Sequence, residues 1–147
     1  MTGLILAASP LRNVLFHAHS GLRFLILLAA VVDVVYFAYA LGARLPVRRA
    51  ARVLTAIFTG LLDLQVILGL ALVATGIYYG ALIGHMAMMI LAVIVAHAAS
   101  VMARGAEDPR RAYWIRLVGV LLPLILIIMG ILAIGRAVLG MGLPSGG

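Results

Sequence analysis

Four apolar stretches, each long enough to cross a lipid bilayer as a helix, constrain this chain more than any other feature. They cover about residues 13–41, 53–79, 81–102 and 112–138. A helix needs about 20 mostly apolar residues to span the hydrocarbon layer, and backbone polar groups in lipid must be bonded within the segment. The sequence therefore predicts an all-α integral membrane protein, a single domain of four transmembrane helices.

The composition excludes several classes of protein. Of 147 residues, 66% are hydrophobic and only 10% are charged, whereas soluble domains average about 25% charged residues. A soluble enzyme, a disordered chain and a nucleic-acid-binding domain are therefore excluded. Cysteine is absent, so disulfides and thiolate metal ligands are excluded as well. We expect an electron-transfer or accessory subunit that is not itself catalytic, with other membrane subunits and lipid as its partners.

The distribution of arginine predicts the topology. All 11 basic residues are arginine, against four acidic residues, and seven of the arginines flank two of the three loops: Arg44, Arg48, Arg49, Arg52, Arg104, Arg110 and Arg111. The positive-inside rule places both loops in the cytoplasm and both termini on the non-cytoplasmic side, in a bacterial inner membrane. Short loops between all four helices predict an up-down-up-down bundle.

Three polar residues near the non-cytoplasmic side form the first candidate site. His19 in the first span and His85 in the third lie at similar depth, on helices expected to be diagonal neighbours. Two neutral imidazoles can take both axial positions of one haem iron. Arg23 follows His19 by one helical turn, on the same face, and is placed to pair with a haem propionate. His17 lies about 200° around the helix from His19 and is expected outside this site.

A second polar layer is predicted nearer the arginine-rich loops. Asp33, Asp63 and His97 come to similar depth in three different spans, and Gln65 lies close by on the second. Ionisable groups within spans are costly and are by default functional candidates. These residues could relay protons, hydrogen-bond a quinone headgroup or simply lock three helices together.

Two further patterns make structural predictions. Gly76, Gly80 and Gly84 recur every four residues, a spacing that favours close helix contact. Tyr113 and Trp114 are placed to form part of an interfacial aromatic belt at the start of the fourth span.

Several short motifs resemble a group of small bacterial four-helix membrane proteins described as cytochrome b-like. The motifs are H-S-G-L-R at residues 19–23, L-D-L-Q with a following glycine within 62–69, and H-M at 85–86. In that group tryptophan is expected in place of Phe24 and proline in place of Met86. The resemblance implies a role for His19 and His85 in haem b or quinone chemistry.

Together these observations predict a membrane subunit of a bacterial electron-transfer complex. It is expected to bind haem b through His19 and His85, with Arg23 on a propionate, and to contact quinone or protons through the second layer. The alternative is a cofactor-free accessory subunit of a respiratory or photosynthetic complex. A third hypothesis is a proton-coupled carrier built around Asp33 and Asp63, although one bundle without inverted repeats makes a poor transporter.

Overall fold

The computed structural model describes the backbone of residues 2–139 and the side chains of residues 10–139. The described chain is all-helical, with four helices: α1 Thr2–Gly42, α2 Arg49–Ala74, α3 Gly80–Arg104 and α4 Pro109–Ala133. Each contains a segment long and apolar enough to cross a membrane. The predicted all-α fold with four such helices is confirmed.

The helix ends differ from the predicted spans because local capping decides them. Helix α2 ends at Ala74 rather than near residue 79, since Thr75 Oγ1 donates to the carbonyl of Leu72 at 2.6 Å and Gly76 has φ +90°. Helix α4 begins at Pro109, behind an Asp108 side chain that accepts from the backbone of Arg110 and Arg111. Aspartate before proline is a strong helix start.

The helices form a bundle in which each contacts two neighbours. Helix α1 packs on α2 and α4, and α3 packs on α4 and, less extensively, on α2. Helices α1 and α3 are therefore diagonal. We call the end with connections 43–48 and 105–108 the arginine-rich end. The opposite end, with connection 75–79, is the histidine end.

The core lies mainly toward the arginine-rich end. Phe37, Phe58 and Tyr113 are almost fully buried there, and alanines at many other core positions let the helices approach closely. The outer faces carry large apolar side chains such as Leu28 and Ile67, each 61% exposed. A surface of this kind suits lipid contact and is unlike that of a soluble bundle.

The glycine that allows two helices to approach closely is Gly119 on α4, and it is not part of the repeat at residues 76–84. A Cβ at Gly119 would collide with the Cβ of Ala99, so the side chain of Ala99 on α3 lies against the backbone of α4 here. A Cβ at Gly76, Gly80 or Gly84 would meet nothing within 4 Å. Within this chain the glycine repeat therefore makes no close helix contact, because it falls in and just after a connection at the bundle end.

The two adjacent aromatic residues at the start of α4 have different environments. Trp114 is 51% exposed, as an interfacial residue should be. Tyr113 is only 1% exposed, and its hydroxyl donates to the carbonyl of Pro46 at 3.1 Å. Tyr113 is therefore a core residue that ties α4 to the first connection, and its predicted place in an interfacial belt is wrong.

Replacement of Tyr113 by phenylalanine should lower the free energy of unfolding by about 0.5–1.5 kcal/mol, because the carbonyl of Pro46 loses its partner while the ring packing stays. Thermal unfolding of the detergent-solubilised protein, followed by circular dichroism, measures the change. Tyr39→Phe is the matched control, since Tyr39 is 65% exposed. Equal stability of the two variants would show that the Tyr113 bond contributes nothing.

Candidate functional site

The imidazoles of His19 and His85 meet at the histidine end of the bundle. Their ring centroids are 6.4 Å apart and their planes differ by 75°. His19 comes from α1 and His85 from α3, so the two rings are contributed by the diagonal pair of helices. Two residues far apart in sequence are thus brought to one level.

Helix α2 holds the His19 ring on two sides. Nδ1 lies 3.1 Å from the backbone carbonyl of Gln65, which can only accept, so Nδ1 carries the proton and donates. Nε2 is then the acceptor, and it lies 3.3 Å from the side-chain amide nitrogen of Gln65. The same amide donates to the backbone carbonyl of His19 at 3.0 Å. Gln65 therefore fixes both the tautomer and the orientation of this ring.

Helix α4 holds the His85 ring through a hydrogen bond to a backbone carbonyl. Its Nδ1 donates to the backbone carbonyl of Gly130 at 2.9 Å, which leaves Nε2 as the nitrogen with a lone pair. Metal-binding histidines commonly donate their second ring nitrogen to a carbonyl or carboxylate, which sets the ring orientation. Both His19 and His85 show this arrangement.

Two glycines make room for the two rings. A Cβ at Gly69 would lie 3.2 Å from Cε1 of His19. A Cβ at Gly130 would lie 3.4 Å from Nδ1 of His85 and 2.7 Å from the terminal methyl carbon of Met89. Each histidine is therefore seated against the backbone of a neighbouring helix. Gly69 lies within the motif region noted in the sequence, whereas Gly130 sits in an unbroken apolar run that gives no sign of its role.

A cavity of about 460 Å³ opens beside the rings. Its walls are mostly apolar, and its charged lining residues in the described part of the chain are arginines: Arg12, Arg23 and Arg136. No aspartate or glutamate of that part lines it. The volume falls within the range of small-molecule and cofactor sites, about 300–1,000 Å³.

The arginines extend the predicted site. Arg23 is 6% exposed, and its guanidinium carbon lies 4.9 Å from the ring centroid of Phe24. Arg136, just beyond α4, stacks on Phe16 at 4.8 Å, and its Nη2 is buried without a hydrogen-bond partner in the described residues. Sequence reasoning missed Arg136 and Arg12, because only the folded bundle brings these two distant residues into the cavity lining with His19.

The 6.4 Å between the two ring centroids is compatible with two imidazoles that share one metal ion. Metal–imidazole bonds of about 2 Å, with each centroid about 1 Å behind its nitrogen, would put the centroids about 6–6.5 Å apart. In this structure, however, Nε2 of His19 lies against the side-chain amide of Gln65. No group of three or more His, Cys, Asp or Glu side chains in the described part could hold a metal ion, so two imidazoles alone would suffice only for a metal that brings its other ligands with it.

The second predicted layer does not form one cluster. His97 Nε2 lies 2.8 and 3.1 Å from the two carboxylate oxygens of Asp63, and these side chains are 49% and 43% exposed. Asp33 is 1% exposed, with an Oδ2 that has no hydrogen-bond partner in the described residues. Gln65 belongs to the His19 site instead. His17 is exposed with its ring edge against Phe16, but it also lines the cavity, so its expected place outside the site is wrong.

Comparisons with protein-family models, with curated proteins and with solved structures found no match.

Proposed function

We propose that this chain is a multi-pass membrane protein that binds one haem b through His19 and His85 and serves as a subunit of an electron-transfer complex. The observation that carries the proposal is the imidazole pair itself. Two rings from diagonal helices lie 6.4 Å apart, and each donates its Nδ1 proton to a backbone carbonyl. This arrangement supplies two neutral nitrogen ligands in a fixed orientation.

Bound haem would supply a one-electron redox centre within an apolar bundle. The chain's own residues have two tasks there. The carbonyls of Gln65 and Gly130 hold the rings, and apolar cavity residues such as Ile127 and Ile131 exclude water. If Nε2 of His19 held the iron, the side-chain amide of Gln65 would have to give up its contact with that nitrogen, while the backbone carbonyl of Gln65 would still hold the ring.

Arg23 and Arg136 are the proposed partners of the propionates. Both line the cavity beside His19, and the charge of Arg136 acts on Arg23. Two like charges held together in a largely apolar cavity favour an anionic ligand. A macrocycle with two carboxylates matches that requirement, and charge-assisted bonds from arginine to carboxylate are strong.

Replacement of Arg23 or Arg136 by glutamine should weaken haem binding about tenfold each, because each change removes one charge-assisted interaction. Titration of haem into the apo-protein, followed by Soret absorbance, measures the affinity. Arg44→Gln, at the opposite end of the bundle, makes the same charge change as a control. Unchanged affinity in both cavity variants would remove the arginines from the site.

The membrane setting follows from the same proposal. The arginine-rich end faces the cytoplasm of a bacterium, and the histidine end faces the opposite side of the inner membrane. Asp33, Asp63 and His97 lie toward the arginine-rich end and are the candidates for proton or quinone contact, with the Asp63–His97 pair on the outer face of the bundle. Other membrane subunits would deliver and accept electrons.

The test is the reduced-minus-oxidised absorption spectrum of the chain purified from membranes, or reconstituted with haem, together with the haem-to-protein ratio. We expect sharp reduced bands of a low-spin b-type centre at one haem per chain. Absence of bound haem after reconstitution would overturn the proposal.

A cofactor-free accessory subunit is the second candidate, and one observation favours it. The Gln65 amide already satisfies Nε2 of His19 at 3.3 Å, so this imidazole is hydrogen-bonded on both nitrogens without a ligand. That candidate predicts co-purification with larger subunits and no haem bands. The spectrum therefore separates the two.

A further inference from the structure

Three arginines from three helices converge at the arginine-rich end. Arg52 lies near the start of α2, Arg104 at the end of α3 and Arg116 near the start of α4. Arg52 and Arg104 lie close enough for their charges to act on the Arg116 guanidinium. We call these three residues the arginine triad.

Arg116 is the buried member of the triad. It is 3% exposed, and its Nη1 donates to the carbonyl of Ala112, one turn earlier in its own helix, at 3.0 Å. Its Nε is enclosed and has no hydrogen-bond partner in the described residues. A buried charge is costly unless an opposite charge and hydrogen-bond partners meet it.

The triad has no carboxylate partner among the described residues. Asp63 bonds His97, Asp108 accepts from two backbone N–H groups at the start of α4, and neither Asp33 nor Glu107 forms an ion pair within the described part of the chain. None of the three arginines forms an ion pair within the described residues. A hydroxyl is present instead: Ser100, 9% exposed, accepts from Nη1 of Arg104 at 3.3 Å and has its own proton to donate.

We propose that the arginine triad and Ser100 bind a phosphate group. Phosphate offers several acceptor oxygens, and its negative charge supplies the anionic partner that the three guanidinium groups lack. The planar guanidinium of arginine also matches the geometry of the phosphate oxygens. The triad lies where the apolar segments end, the depth at which lipid phosphates sit. Basic pockets between helices at the cytoplasmic end of a bundle are typical binding sites of anionic lipid headgroups. A phospholipid headgroup and free phosphate share this chemistry.

The test is native mass spectrometry of the full chain in detergent, with phosphatidylglycerol, phosphatidylcholine and inorganic phosphate as separate probes. Variants Arg52→Gln and Arg104→Gln remove charge from exposed members of the triad without disturbing the core. Arg111→Gln is the matched control, because Arg111 is exposed at the same end and makes the same charge change.

We expect the unmodified chain and Arg111→Gln to retain one phosphatidylglycerol in preference to phosphatidylcholine, and both triad variants to lose about tenfold in that retention. Retention of inorganic phosphate that is lost in the same two variants supports the site with free phosphate as the source. Equal retention in the triad variants and Arg111→Gln overturns the proposal, as does equal retention of both lipids or retention of none. Haem content plays no part in these outcomes.

Discussion

Replacement of His19 or His85 by alanine should abolish the haem bands of the purified protein. Each variant leaves the iron with one protein ligand and opens a void beside the other ring. Loss of a second-shell partner alone lowers metal affinity about 10–100-fold, so loss of a ligand should cost more. The haem-to-protein ratio after purification measures the effect, and circular dichroism at the same concentration shows that the helices remain.

His97→Ala is the control for this result. It removes an imidazole from the same chain, but His97 is paired with Asp63 and does not line the cavity. This control variant should keep haem at the level of the unmodified protein. If His85→Ala also keeps its haem, or if His97→Ala loses it, the assignment of the ligands is wrong.

The largest expected effect on stability is at Gly119. Leucine there should lower the free energy of unfolding by about 3 kcal/mol, because its Cβ would collide with Ala99 and the two helix backbones cannot separate without opening the packed contact between α3 and α4. Thermal unfolding in detergent, followed at the helical circular dichroism band, measures the loss.

Gly60→Leu and Gly84→Leu make the same substitution at helical positions where a Cβ meets nothing within 4 Å. Their melting temperatures should equal or slightly exceed that of the unmodified protein, since leucine favours helix more than glycine does. A melting temperature for Gly119→Leu equal to those of the controls would mean that Ala99 does not lie against the backbone of α4 at Gly119.

The helices could be predicted from the sequence because a long apolar run has few alternatives in lipid. Their ends were less predictable, since Thr75 and Asp108 cap through local hydrogen bonds that hydropathy does not report. The glycine that a neighbouring helix contacts closely could not be identified from the sequence. A repeat at residues 76–84 is conspicuous in sequence, whereas Gly119 gains its meaning only from Ala99 on the facing helix.

The site divides in a similar way. A helix rises by a fixed distance per residue, so the depth of a residue follows from its distance in sequence from the helix end. The common level of His19 and His85 could therefore be predicted by counting along the helices. The hydrogen-bond partners of the rings could not be predicted. His85 donates to the backbone carbonyl of Gly130, and every residue type has such a carbonyl, so the residue type does not indicate the bond. Gln65 was placed in the wrong layer for the same reason: its partner is the ring and backbone of His19.

Electron paramagnetic resonance of the oxidised, haem-loaded protein tests the central claim most directly, since the spectrum reports both axial ligands of the iron. Two neutral imidazoles whose planes differ by 75° should give a low-spin ferric signal of large anisotropy. A high-spin signal in the unmodified protein, or a low-spin signal that persists unchanged in His19→Ala and His85→Ala, would contradict ligation by this pair.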